Sequence, residues 1–296
     1  MSVLQAMRRQ AGLLAIGGAP RGARKPVSIA LALSAGWLLV CLVLSIGAEA
    51  IVPYDPDAMD LRSRLQPPLG FGGSWAHPLG TDELGRDMLS RLIAALRISL
   101  LLALAGSLIG AAIGTTLGFI SAHFRGIVDD AVMLLVDAQA ALPFFIIALA
   151  AVAMLGAGLE ILIAVLGLYG WERYARLARA LAMSAAEQGY AEAARCLGAG
   201  PMRLYLRHIL PNVAAPLLVN LTVNFPETVL LESGLSFLGL GVQPPMTSLG
   251  AQLGYGRDYL VNAWWVALPA GFMIFVSTLA FSILGDWARD RLDQQS

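Results

Sequence analysis

The chain has 296 residues, of which 57% are hydrophobic and 14% charged, with a mean hydropathy of +0.70. Soluble domains carry roughly 25% charged residues, so the composition excludes a water-soluble globular protein and predicts an integral membrane protein. Twenty basic and twenty acidic residues cancel, which argues against a nucleic-acid partner.

The single lysine, Lys25, is followed by Pro26 and has no glycine-rich loop before it. A P-loop needs a lysine to reach the nucleotide phosphates, so this chain is not expected to bind or hydrolyse ATP, and a Ser-Lys dyad fails for the same reason. Cys41 and Cys196 lie at different predicted depths and make no disulfide framework. His77, His123 and His208 are too scattered for a zinc site, and neither HExxH nor GxSxG occurs. No metal ligand and no catalytic residue is therefore expected.

Taken in order, residues 1–27 carry Arg8, Arg9, Arg21, Arg24 and Lys25 with no acid, a basic tail expected in the cytoplasm. Residues 28–49 read as the first span: Ser28 to Ala48 is about 21 residues, near the roughly 20 that cross a bilayer and longer than a signal-peptide core. Residues 50–96 form an outer, periplasmic segment rich in acids and arginines and punctuated by Pro53, Pro56, Pro67, Pro68 and Pro78. From Thr81 or Asp82, natural N-caps, Leu84, Met88, Leu92 and Leu96 recur every four residues, which predicts an amphipathic elbow helix on the outer surface.

The second span runs from about Ile98 to Ala122, with Gly106, Gly110, Gly114 and Gly118 four apart. Such a ridge has no side chains and lets another helix, of this chain or of a second subunit, approach closely. A third span covers about Ala131 to Leu155 and holds Asp137, Gln139 and Pro143. A fourth begins near Leu159 and passes Trp171 into Arg173, Arg176 and Arg179, placed to snorkel at the cytoplasmic end.

The stretch Ala186 to Asn212 reads as a helical hairpin between apolar spans. Ala186, Tyr190, Ala193, Ala194 and Leu197 share one face at helical period, with Glu187, Gln188, Glu192 and Arg195 on others. Gly198-Ala199-Gly200 stops the first helix, Pro201 begins the second, and Met202, Tyr205, Leu206 and Ile209 make its apolar stripe until Pro211 closes the unit. The order Glu192-Ala193-Ala194-Arg195, then Gly198, then Leu210-Pro211 resembles the EAA loop of bacterial ABC importer permeases. It is similar in particular to the peptide and nickel branch, in the subunit usually called C. His208 stands where that family usually has isoleucine. The string GTDELGRDMLSRL, from Gly80 to Leu92, also resembles the family at this place.

The fifth span, about Asn212 to Glu232, carries Asn220, Asn224 and Glu227 at i, i+4, i+7, hence on one face, with Pro226 expected to bend the helix. Buried carboxylates are costly in a membrane, so this stripe, with Asp137, is the candidate wall of a translocation pathway, interhelical hydrogen bonding being the competing reading. Residues 234–262 are glycine- and proline-rich with few charges and are expected to insert partly or pack over the outer mouth. Their GLSFLGLG and QPP strings resemble the same family, with Leu249 where tryptophan is usual. A sixth span, about Ala263 to Leu284, leads to a cytoplasmic tail, 287–296, in which Gln294 replaces the family's proline. Fourteen basic residues fall on the predicted cytoplasmic segments and five on the outer ones, with Arg97 at the boundary, so both termini and the hairpin are expected inside.

The resemblance implies an all-α, six-span permease of the type I ABC importer fold in the bacterial inner membrane, with a transport domain at 95–286 and a cytoplasmic EAA loop at 182–211. It further implies a second homologous permease subunit forming a heterodimer, two ATPase subunits or domains carrying ATP and magnesium, and an external substrate-binding protein. Peptides are the expected cargo, with nickel or metal chelates and glutathione as alternatives. An ion-coupled carrier or an intramembrane aspartyl protease would have to rely on Asp137 and Glu227, and no internal repeat of the kind carriers show is visible.

Overall fold

A computed structural model describes residues 29–293; the basic tail at 1–27, and Gln294 in the C-terminal tail, lie outside the described residues. Within them all regular structure is helical, apart from one isolated bridge between Thr81 and Asp87. Helix α1, Ile29–Ile46, leaves Leu33 and Ile46 exposed at 70% and 75%, as an apolar helix facing lipid would. Its other side packs on the last helix, where the Trp37 indole donates to Ser277 at 3.1 Å beside Cys41.

The outer segment differs from expectation. Asp82 does not cap a helix: its carboxylate accepts from the amides of Leu84 and Arg86, both at 2.9 Å, and so closes a tight turn through Gly85 at φ +74°. Asp87 is the N-cap, accepting from the Ser90 amide at 2.8 Å. From there α2, Met88–Phe124, runs 37 residues without a break. At 1.5 Å per residue that is about 55 Å, so the expected elbow helix and second span are one helix that overhangs the bilayer. Leu84 is outside it, while Met88, Leu92 and Leu96 are buried.

The third and fourth spans are both broken. Leu142 is held extended by the following Pro143, and α3, Gly126–Ala141, turns by 90° into α4, Phe144–Leu155. Next, α5, Leu159–Gly167, stops at Leu168, and Gly170 in the left-handed region at φ +75° starts α6, Trp171–Ala186. Of the six expected spans, four among the described residues are helices long and apolar enough to cross a membrane, or five if the bent α3–α4 pair counts as one span, and the fourth expected span is divided at Leu168–Gly170. An apolar run measures burial, and α5 buries Leu162 and Leu166 against protein rather than lipid.

After the hairpin helix α7, Gly189–Cys196, a single turn at Pro201–Arg203 and a wider π-turn at Leu204–Ile209 lead directly into α8, Leu210–Phe237. Pro211 therefore does not close the hairpin, and Pro201–Phe237 is one helix of 37 residues. The π-turn, in which the Leu210 amide bonds Tyr205 O, sets Pro211 at the head of a fresh α ladder, where its missing N–H leaves no gap. Pro216 and Pro226 lie inside α8 without ending it.

The expected packing of 234–262 takes the form of a short helix, α9, Leu249–Gly256, wedged between α8 and the last helix. Its glycines allow this: a Cβ on Gly254 would lie 2.7 Å from Phe237 O, and one on Gly256 would lie 2.7 Å from the Ala267 nitrogen. A one-turn 3₁₀ segment, Trp264–Val266, precedes α10, Leu268–Asp293, so residues 287–293 continue the helix rather than forming a separate tail.

The glycine ridge of α2 meets α5 and α6 of the same chain. A Cβ on Gly106 would lie 2.6 Å from Leu166 Cβ, one on Gly110 2.8 Å from Tyr169 O and one on Gly118 2.9 Å from Ala178 Cβ, while one on Gly114 would strike Trp171 O. Opposite the ridge Ala175, Ala178 and Ala182 are fully buried. This backbone-to-backbone seam holds α6, and with it three arginines, in place.

Candidate functional site

The hairpin's shape is set by its glycine. Gly198 stands at φ +80°, its amide bonds Arg195 O at 2.9 Å and the next amide, of Ala199, bonds Ala194 O at 3.0 Å. That pair of bonds is a Schellman cap, which ends α7 and reverses the chain toward Gly200-Pro201. The inner face is Ala191 and Ala194 from α7 with Leu204, Tyr205 and Ile209 from the return, packed on Phe119 of α2. The expected stripes are thus partly displaced: Tyr190, Ala193, Leu197, Met202 and Leu206 are exposed, and Ala191 and Leu204 take the buried places. The π-turn shifts the register of the return helix, and α7 is rotated so that only every third or fourth residue faces inward.

What remains outside is a compact surface. Glu192, Ala193, Arg195 and Gly198 are exposed, and Leu197 and Met202 stand 89% and 75% exposed beside them. Glu192 and Arg195 make no side-chain hydrogen bond or ion pair among the described residues. Leu210, by contrast, is half-buried against the hairpin core, and Pro211 is exposed at the junction with α8.

The second cluster lies along α6. Arg173, Arg176 and Arg179 do not snorkel freely; each faces an acid from another helix. Arg173 pairs with Glu227 on α8, Arg176 with Asp137 on α3 at 3.1 Å, and Arg179 with Asp129 on α3. Arg173 Nη1 also donates to Asn224 Oδ1 at 2.7 Å, and the Tyr169 hydroxyl donates to Glu227 Oε2 at 2.8 Å. Asn224 Nδ2 in turn donates to Asn220 O at 2.8 Å. Of the stripe predicted on α8, Asn224, which is buried, and Glu227, which is half-exposed, meet at Arg173, whereas Asn220 contributes only its backbone carbonyl and its buried Nδ2 has no hydrogen-bond partner among the described residues. Asp137 is 71% exposed and pairs with Arg176, with no contact to the stripe among the described residues.

Two buried charged groups escaped the sequence reading. Glu232, counted only as the end of the fifth span, is fully buried and accepts from Ser99 Oγ at 2.9 Å and Ser236 Oγ at 2.7 Å, while Ser99 Oγ also accepts from the Leu249 amide at the start of α9. The serine at i+4 from the acid was the available signal. Arg91, on the first turns of α2, is 3% exposed and is held by Pro56 O at 3.2 Å with Asp57 and Asp82 at 3.5 Å. Its partners lie up to 35 residues away in an irregular segment, so no periodic signal points to them.

A family model described as "Binding-protein-dependent transport system inner membrane component" matches residues 114–295. The di/tripeptide transport system permease protein DppC of Pseudomonas aeruginosa is 40% identical over 258 residues, covering 87% of this chain and 85% of that protein. The glutathione transport system permease protein GsiD of Pectobacterium atrosepticum is 35% identical over 270 residues, covering 91% and 87%. Among solved structures, an inward-facing form of the MetNI methionine ABC transporter superposes with a TM-score of 0.51 at 22% identity, covering 70% of this chain and 97% of that one, a likeness of fold. With more than half of the sequence inside that family model and relatives this similar along most of their length, the chain belongs to the binding-protein-dependent transport system inner membrane components, the membrane-spanning permeases of ABC importers.

Proposed function

We propose that this permease passes short peptides across the bacterial inner membrane by alternating access, driven by two ATPase subunits or domains that hold ATP and magnesium and fed by an external binding protein. This chain carries no catalytic residue and binds no cofactor in that scheme; a second, homologous permease subunit completes the pathway as a heterodimer. The observation that carries the reading is the hairpin: an exposed charged and apolar surface joined to a 37-residue helix long enough to cross the membrane. The names of the similar peptide permeases supply the substrate class.

In this mechanism Glu192 makes a charge-assisted bond to a basic residue of the ATPase, with Arg195 flanking it, and Ala193 keeps the surface flat enough for close docking. Ala194 and the Gly198 turn fix α7 against the return helix. Closure of the ATPases draws the hairpin inward. Because Leu210-Pro211 lies within one continuous helix, the motion is carried to Asn220, Asn224 and Glu227 as a rigid-body shift rather than absorbed at a joint. Both termini and the hairpin then face the cytoplasm, with residues 50–87 outside. Glutathione, itself a tripeptide with free carboxylates, is the second reading, favoured by the similarity to a permease named for it.

The test is uptake by vesicles holding the complete transporter. Glu192→Lys and Gly198→Asp are expected to leave membrane insertion intact and to separate ATP hydrolysis from peptide uptake, cutting uptake per ATP at least tenfold. Normal coupling in both variants would remove the hairpin from this role.

A further inference from the structure

Arg173 and Glu227 sit where charge is hard to keep. Glu227 lies about 26 Å along α8 from Leu210 and about 15 Å short of Phe237, well inside the apolar thickness of the bundle. Ionised groups at such a depth cost roughly 2.5 to 3.5 kcal/mol on insertion scales unless they meet water, each other or a polar ligand. These two meet each other, but incompletely. Their side chains remain 41% and 43% exposed.

Their bonding is one-sided as well. Arg173 spends Nη1 on both Asn224 and Glu227, and Nε lies 3.7 Å from Glu172, while Nη2 makes no hydrogen bond among the described residues. Glu227 takes Tyr169 and Arg173 both on Oε2, leaving Oε1 without a partner among them. Glu227, though not Arg173, also opens on a cleft of about 420 Å³ between α8 and α10, walled on its apolar side by Pro226, Leu230, Phe275 and Leu279 and on its polar side by Thr278 and Asp286. The wall thus offers one unspent cationic donor edge and, across the ion pair, one unspent anionic acceptor with apolar surface next to it.

We propose that Arg173 and Glu227 form a receiving pair for the two charged ends of a short peptide, the guanidinium edge taking its carboxylate and Glu227 Oε1 its ammonium, with side chains lying against the apolar wall of the cleft. The inference rests on the peptide reading above. An internal ion pair already carries the desolvation of both charges, so a zwitterion binds by exchanging water for the free edges without exposing a lone charge. Asn224 and Tyr169 hold the pair in register.

A charge swap separates recognition from packing. In Arg173→Glu with Glu227→Arg the ion pair persists, and both the Asn224 amide and the Tyr169 hydroxyl can donate or accept, so the wall stays satisfied. Only the order of charges offered to the peptide is reversed. The complete transporter, in proteoliposomes with binding protein saturated by dialanine, N-acetyl-dialanine or dialaninamide, is compared with the swap and with Glu227→Gln and Arg173→Gln. The expected result is dialanine uptake at least tenfold lower in the swap, at unchanged co-purification with the ATPases. Glu227→Gln should lose the preference for a free amine while keeping that for a free carboxylate, and Arg173→Gln the reverse, each by about the tenfold that one charge-assisted bond is worth. Restoration of full uptake by the swap, or single variants with unaltered preferences, would make the pair a packing device. A wild-type transporter that moves no dialanine at all would instead overturn the peptide reading itself.

Discussion

Glu232 is the residue whose environment most constrains its chemistry. No cation approaches its carboxylate among the described residues; hydroxyls from α2 and α8 surround it, and Ser99 ties it onward to the start of α9. Replacement by leucine removes the acceptor and leaves buried hydroxyls without partners, at a cost of about 2 to 3 kcal/mol. Glutamine keeps one acceptor and adds a donor to groups that can also accept, so its cost should stay near 1 kcal/mol. Thermal unfolding of the purified protein in detergent should rank wild type above Glu232→Gln and that well above Glu232→Leu; equal midpoints for the two variants would refute the hydroxyl cage. Arg173 and Glu227 differ from it in being half open, which is why one acid reads as a structural tie and the other as a contact for something that passes.

At the level of elements, the seam between α2 and α6 decides where the polar cluster stands. A leucine at Gly114 would drive its Cβ into Trp171 O and Tyr174 Cβ, atoms fixed by the backbone of α6, so the helices must separate by more than a rotamer change can supply. Gly36 in α1 has nothing within 4 Å of an added Cβ. Gly114→Leu is therefore expected to lower the unfolding midpoint sharply and to reduce the amount of folded protein in membranes. Gly36→Ala should be neutral or stabilising by up to about 1 kcal/mol, through helix propensity alone. The pair distinguishes packing from composition, because both positions are glycines in apolar helices. A similar logic explains the corners at Pro143 and Gly170. Each breaks an apolar run that hydropathy alone joins, proline by denying its predecessor the helical region and glycine by supplying a positive φ.

For the whole molecule, the arrangement of buried and exposed cysteines supplies a topology test without any engineered label. Cys41 is 1% exposed and bonded near Ser277, whereas Cys196 is exposed at the end of α7. A membrane-impermeant maleimide should modify the native protein on inside-out vesicles at Cys196 and leave right-side-out vesicles unlabelled; modification from the outer side would invert the orientation proposed for the hairpin. The membrane class, the hairpin with its Gly198 turn, and the shared face of Asn220, Asn224 and Glu227 are all legible in the residue order. All of these follow from composition or from spacing within one helix, where period and steric rules act locally. Tertiary structure alone decided that two apolar runs break into four helices, that the elbow is the head of α2, and that Pro211 lies inside a helix. It alone brought Arg173 to Glu227 and Ser99 to Glu232, pairs separated by 54 and 133 residues. Their meeting depends on how close a glycine ridge lets two helices come and on which buried charge can find a partner, and both are properties of the packed bundle rather than of any stretch of chain.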